Sequence, residues 1–193
     1  MHYTRKFRRI VLNLGFVFLF QRKFKESHTY LAKFQHCQTR ALAMVRSYVT
    51  QVLQNATQQC LTAPPTPSIA SAGPGAPSAA SVSDSDFARC YGKFQASAPR
   101  VRAVLSHIEE RMLKSNNRGY ESLMADCQAC FTEQRELLLG AGVGTAVQEL
   151  VTQYRGDHCA MVRAGCAFLL HVCQDEHQLF SQFFSTQSQN QLT

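Results

Sequence analysis

The chain has 193 residues and a formal net charge of +7, which usually prompts a search for a nucleic-acid or anionic-membrane partner. Seven of its 20 basic residues lie in the first 25 positions, which contain no acidic residue, so 13 basic residues remain against 13 acidic ones. The rest of the chain is therefore neutral. Because it also lacks basic runs and interleaved aromatic residues, we expect no nucleic-acid partner.

The N-terminal segment, residues 1–24, joins basic residues to an apolar run of 11 residues, Ile10–Phe20. This run is too short to cross a bilayer, which takes about 20 residues, and no small-residue cleavage site follows it. A signal anchor or a membrane-surface patch within residues 5–25 is one interpretation. We favour the other, an atypical start that is not part of the fold.

Apolar residues recur at steps of three and four from residue 25 to residue 61, the helical period, so the sequence predicts one long helix there. Residues 62–86 follow and hold five of the six prolines among Ser, Ala and Gly. Prolines block a helix, and such a composition buries too little apolar area to offset the entropy of ordering. This stretch is predicted to be a disordered linker.

Residues 87–185 are predicted to form a helical bundle region, and residues 186–193 a disordered tail. In the first helix of this region, Pro99 predicts a kink or a new start near Ser97. No segment alternates with the two-residue period of a strand. The fold class is therefore all-α, with antiparallel helical hairpins packed in a bundle.

Two further helices are predicted beyond a turn at residues 115–119. The first begins at Tyr120, and we expect the glycines of Gly140–Gly144 to end or break it. The second is predicted from Thr145 to about Phe184 and is the longest of the chain. Its sequence includes "DHCAMVRAGCAFLLHVCQDEHQLF", which is rich in Cys and His.

Cys159, Cys166 and Cys173 in that stretch repeat every seven residues. In a helix, neighbouring members of such a series are about 10 Å apart, whereas the Cα atoms of a disulfide are roughly 4.4–6.8 Å apart. We therefore expect reduced thiols, as is usual in the cytosol.

A zinc site is the strongest chemical alternative, because Cys127 and Cys130 form a Cys-x2-Cys pair and Cys173 and His177 share a helix face. The competing interpretation is that these thiols are buried and act as small apolar side chains. No nucleophile has both a base and an oxyanion site near it in the sequence, so we expect no catalytic residue and no enzyme activity.

The last predicted helix is apolar over more than one stripe, which is typical of a helix that packs against neighbours on several sides. These neighbours belong either to its own bundle or to a partner subunit. We predict a packing or partner face formed by Val162, Phe168, Leu169, Val172, Leu179, Phe180, Phe183 and Phe184.

Four segments, "YLAKFQHC", "APRVR", "EQRELLLG" and "DHCAMVRAGCAFLLHVCQDEHQLF", resemble in that order the family of subunit 3 of the conserved oligomeric Golgi complex. The resemblance spans roughly residues 25–185 without the proline-rich loop, and residues 1–24 lie outside it. It corresponds to an inner part of a subunit several times longer.

The resemblance implies a bundle of the vesicle-tethering-complex type, with no cofactor and no catalytic or metal motif. It also implies a peripheral protein of the cytoplasmic face of the Golgi apparatus and of the cytosol. Such a protein supports intra-Golgi retrograde vesicle transport and protein transport. Its implied partners are the other subunits of the complex and, through the complex, SNAREs and Rab GTPases.

Overall fold

The computed structural model describes residues 27–62, 80–114 and 117–185, which form helices with no strand in these ranges. This confirms the all-α fold class. The predicted segments 1–24 and 186–193, and residues 63–79 of the predicted linker, lie outside the described residues. The helices are α1 (Ser27–Thr62), α2 (Ala80–Lys114), α3 (Arg118–Gln153) and α4 (His158–Phe183).

Helices α1 and α3 run in the same direction. The side-chain amide of Gln38 donates a hydrogen bond to the Tyr120 hydroxyl at 2.9 Å. Further along both helices, Arg46 of α1 forms an ion pair with Asp126 of α3. Because the second contact lies further along both helices than the first, α1 and α3 are parallel neighbours.

Helices α2 and α4 run in the opposite direction to α3. The Phe94 ring of α2 contacts Phe131 of α3, with 6.0 Å between centroids, whereas the earlier Phe87 approaches the later Gly142. In α4, Phe180 contacts Phe131, with 5.5 Å between centroids, whereas the earlier Glu176 pairs with the later Arg135 of α3. The four helices therefore form an up-down bundle of antiparallel hairpins.

The core lies between α1, α2 and α3 and is closed by the C-terminal end of α4. Its members in each helix follow the three- and four-residue steps of one helix face. Each fully buried Leu, Ile or Phe contributes roughly 1.5–3 kcal/mol. The fully buried members are Val49, Leu53, Phe94, Val101, Leu105, Ile108, Leu123, Cys127, Leu179, Phe183 and Phe184.

Pro99 does not start a new helix, because α2 is continuous from Ala80 to Lys114. Proline cannot donate to the carbonyl of Gln95, four residues earlier. Both residues are exposed, so water can satisfy that carbonyl. Burial of Ala98 and Val101 on the opposite side keeps the helix against the core.

The glycines of Gly140–Gly144 do not end α3, which continues to Gln153. The break comes later, where Gly156 has a φ of +92°, a conformation that is costly for residues with a Cβ. Asp157 then caps α4, as its carboxylate accepts a hydrogen bond from the Ala160 amide at 2.9 Å. The prediction of a helix from Thr145 was therefore wrong.

Two other boundaries also differ from those predicted. Helix α2 begins at Ala80, inside the predicted linker. Helix α3 begins at Arg118, two residues before Tyr120, because Asn117 is its N-cap: the Asn117 side chain accepts a hydrogen bond from the Gly119 amide at 2.9 Å.

Glycine-to-alanine variants test this assignment of the turn. Gly140→Ala and Gly144→Ala should each raise the free energy of unfolding by about 0.5–1 kcal/mol, because both lie in a helix with open space at the Cβ position. Gly156→Ala should lower it by roughly 1–2 kcal/mol because of its positive φ. Urea denaturation measures all three.

Gly142→Ala is the matched control within α3. A Cβ there would lie 2.9 Å from the Phe87 ring, so its helix-propensity gain should be offset by the displaced ring. Equal stabilisation by all four variants would contradict the placement of both the helix and the turn.

Candidate interaction surface

The four residues of the zinc alternative do not come together. Cys127 is buried in the core, and Cys130 is half-buried beside Thr50 of α1. Cys173 and His177 are exposed on α4. Across residues 27–62, 80–114 and 117–185, no group of three or more His, Cys, Asp or Glu side chains is arranged to hold a metal ion. The zinc alternative is therefore not supported.

All eight cysteines are free, but their environments differ. Burial raises the pKa of Cys127 to about 12. It also raises the pKa of Cys60 to about 11, with a further increase from the neighbouring Cys90 thiol. Cys127 therefore behaves as the buried apolar thiol of the competing interpretation. Cys173 does not, because it is exposed.

The C-terminal half of α4 is held by an aromatic cluster centred on Phe131 of α3. Its ring lies 5.0 Å from Phe183 and 5.9 Å from Phe184, between centroids, and meets Phe184 edge-on. Edge-to-face pairs of this kind contribute about 0.5–1.5 kcal/mol beyond the area that they bury. Phe94 of α2 contacts both Phe131 and Phe183, so the cluster joins three helices.

Arg135 and Glu176 form a bidentate ion pair beside this cluster. The Arg135 Nε and Nη2 atoms donate to the Glu176 carboxylate at 2.8 and 2.5 Å. The guanidinium also lies 4.7 Å from the centroid of the Phe94 ring, a favourable cation–π contact. Arg135 is only 4% exposed, so its charge depends on these partners.

The end of α4 is fixed to α2 by polar contacts. The Arg102 guanidinium donates to the Phe183 carbonyl at 3.4 Å. The Glu109 carboxylate accepts a hydrogen bond from the Ser185 amide at 2.9 Å. The first contact satisfies a carbonyl that the helix end leaves without an intrahelical partner, and the second satisfies a backbone amide just beyond the helix.

Among the described residues, only one side of the N-terminal half of α4 is covered. Phe168 lies edge-on to Phe87 of α2, with 6.4 Å between centroids, and Val172 is half-buried. On the opposite side, Val162 is 58% exposed and Leu170 is 60% exposed. Five exposed residues at heptad spacing form what we call the α4 seam: Cys159, Val162, Cys166, Leu169 and Cys173.

The predicted packing or partner face is thus divided between two environments. Leu179, Phe183 and Phe184 are in the core, and Phe180 packs against it. Val162 and Leu169 belong to the exposed α4 seam.

Sequence reasoning missed Arg135 and Glu176. The available signal was their helical spacing: each lies four residues from a phenylalanine of the core cluster, Phe131 and Phe180.

None of the described helices is both long enough and apolar enough to span a membrane.

Comparison with protein families gives two matches. Residues 87–193 match the C-terminal profile of conserved oligomeric Golgi complex subunit 3. Residues 3–55 match the N-terminal profile of the same subunit. The chain belongs to the conserved oligomeric Golgi complex subunit 3 family.

Family members from distant organisms align with most of the chain. The mouse subunit 3 is 43% identical over 162 residues, covering 84% of this chain and 18% of the mouse protein. The Drosophila melanogaster subunit 3 is 41% identical over 164 residues, covering 85% of this chain and 17% of that protein. The chain therefore spans about a fifth of the length of the curated relatives that it matches.

The match to the N-terminal profile of subunit 3 begins at residue 3. It therefore includes most of the segment 1–24, which the resemblance noted from the sequence left out. No solved structure matches the chain.

Substitutions at the Arg135–Glu176 pair test its role in holding α4. Glu176→Ala should lower the free energy of unfolding by roughly 3–5 kcal/mol, because it leaves the Arg135 charge buried without its partner. The double variant Arg135→Met and Glu176→Leu should lose much less, because no buried charge remains. Chemical denaturation gives these values.

The exposed ion pair between Lys114 and Glu110 provides the control. Glu110→Gln should leave the unfolding midpoint unchanged, because an exposed pair contributes little. If Glu176→Ala lowers the free energy of unfolding no more than Glu110→Gln does, the role of the Arg135–Glu176 pair in holding α4 is contradicted.

Proposed function

We propose that the chain is a non-enzymatic component of a Golgi vesicle-tethering complex. In this role it supports intra-Golgi retrograde vesicle transport and intracellular protein transport through helix–helix contacts between subunits. Family membership carries this proposal. The bundle supports it, because half of α4 presents apolar side chains on its exposed side, and such a surface is typical of an assembly contact.

The chemistry of the described residues also favours a structural role. Arg135, the most buried charged side chain in the core, is used to hold α4 through Glu176. The buried hydroxyl of Thr57 donates to the carbonyl of Leu53 in its own helix at 3.2 Å. Polar groups used in this way stabilise the bundle and do not converge on a common reacting position.

The proposal extends to the partners and location that the family implies. The direct partners are the other subunits of the oligomeric Golgi complex, and SNAREs and Rab GTPases are reached through that complex. The chain acts at the cytoplasmic face of the Golgi apparatus, as a peripheral protein that exchanges with the cytosol. An alkaline carbonate wash should release it from Golgi membranes.

Co-purification tests the proposed function. The tagged chain, expressed in cells, should recover other subunits of the oligomeric Golgi complex and distribute with the Golgi marker fractions. A variant with a disrupted core, Leu105→Asp, should lose these partners because the bundle no longer folds. A folded wild-type chain that recovers none of these subunits would overturn the proposal.

A further inference from the structure

We propose that the α4 seam (Cys159, Val162, Cys166, Leu169 and Cys173) receives an amphipathic helix of another subunit of the same complex, with apolar residues and at least one acidic residue on its contacting face. This inference rests on the proposed function. It adds which surface makes the contact and what chemistry the partner helix must have.

The first support is the composition of this half of α4. Between Cys159 and Cys173, only Arg163 and His171 interrupt a run of apolar and small residues. A helix that is apolar on nearly all sides is normally surrounded by protein. Here α2 covers one side through the contact of Phe87 with Phe168, and the opposite side carries Leu170 at 60% exposure.

The second support is the spacing of the exposed residues. The α4 seam repeats in steps of three and four, which correspond to the a and d positions of a heptad. Three of its five members are cysteines, so the a positions are small. Small residues at these positions allow a close approach and accept larger apolar side chains, such as Leu or Ile, from a facing helix.

The third support is the charge at the edge of the α4 seam. Arg163 is the only Arg or Lys in α4, and it is exposed. Its Nε donates to the Cys159 carbonyl at 3.3 Å, which holds the guanidinium along the seam. A carboxylate on the partner helix would complement it. An anionic lipid surface is disfavoured, because helices that bind such surfaces carry several Lys or Arg residues on the polar face.

Thiol footprinting tests this inference with the cysteines that the seam already contains. The isolated chain and the complex reconstituted with the other subunits would each receive a pulse of maleimide, followed by mass spectrometry. In the isolated chain, Cys159, Cys166 and Cys173 should react readily, whereas buried Cys127 should not. In the complex, labelling of the three seam cysteines should slow by about tenfold or more, as a buried interface core excludes water.

Matched lysine variants separate the seam from the rest of the surface. Leu169→Lys should weaken assembly by about tenfold or more, because it places a charge in an apolar helix seam. Leu113→Lys is the control at an exposed leucine near the end of α2 and should assemble normally. Arg163→Glu should also weaken assembly. Circular dichroism verifies that each variant retains its helices.

The possible outcomes distinguish this inference from the proposed function. Recovery of the complex with all three seam cysteines still reactive would overturn the inference and leave the function intact. Failure of the wild-type chain to recover any subunit would overturn both. A dimer of the isolated chain with protected seam cysteines would show that a second copy occupies the surface, and would also overturn the inference.

Discussion

The guanidinium of Arg135 lies between α2, α3 and α4, and the position of α4 depends on how its charge is satisfied. An unpaired charge in such a site costs several kcal/mol. Glu176 supplies two hydrogen bonds, and the Phe94 ring supplies a favourable face. Because Glu176 must lie opposite Arg135, the pair fixes both the depth and the rotation of α4 on the bundle.

The position of α4 determines where the phenylalanines after Glu176 lie. One helical turn after Glu176, Phe180 reaches Phe131. Phe183 and Phe184 then complete the aromatic cluster and are fully buried. The cluster shields the Arg135 side of the ion pair from water, and the ion pair holds the cluster in register. Each therefore strengthens the other, since electrostatic interactions are stronger where water is excluded.

The same register leaves the N-terminal half of α4 open. Once Glu176 faces Arg135, Phe168 turns toward Phe87 and the α4 seam turns toward solvent. The two halves of one helix thus have different roles. One half completes the core of this bundle, and the other presents a surface of the kind used for assembly.

Helices whose apolar residues recur at the helical period were predicted well from the sequence. The long first helix and the all-α class followed from apolar residues at the helical period, because the same residues form the core, for example Val49 and Leu53. The prediction failed at Gly140–Gly144, where local glycine content suggested a break. Packing overrode that preference: Gly142 fits closely against Phe87, while Gly156 supplies the positive φ that the turn needs.

The candidate surface was only partly predictable. The heptad spacing of Cys159, Cys166 and Cys173 was visible in the sequence, but their exposure was not. Helical periodicity alone shows that residues share a face and does not show whether that face meets the bundle or solvent. The pairing of Arg135 with Glu176 decides this, and it joins residues 41 positions apart that no local pattern connects.

Amide hydrogen–deuterium exchange along α4 of the isolated chain tests this account most directly. Peptides covering residues 174–184 should exchange slowly, because opening this half disrupts the aromatic cluster and the ion pair. Peptides covering residues 158–172 should exchange much faster, because fewer buried contacts hold them. Equal protection along the whole helix, or faster exchange in the C-terminal half, would contradict the account.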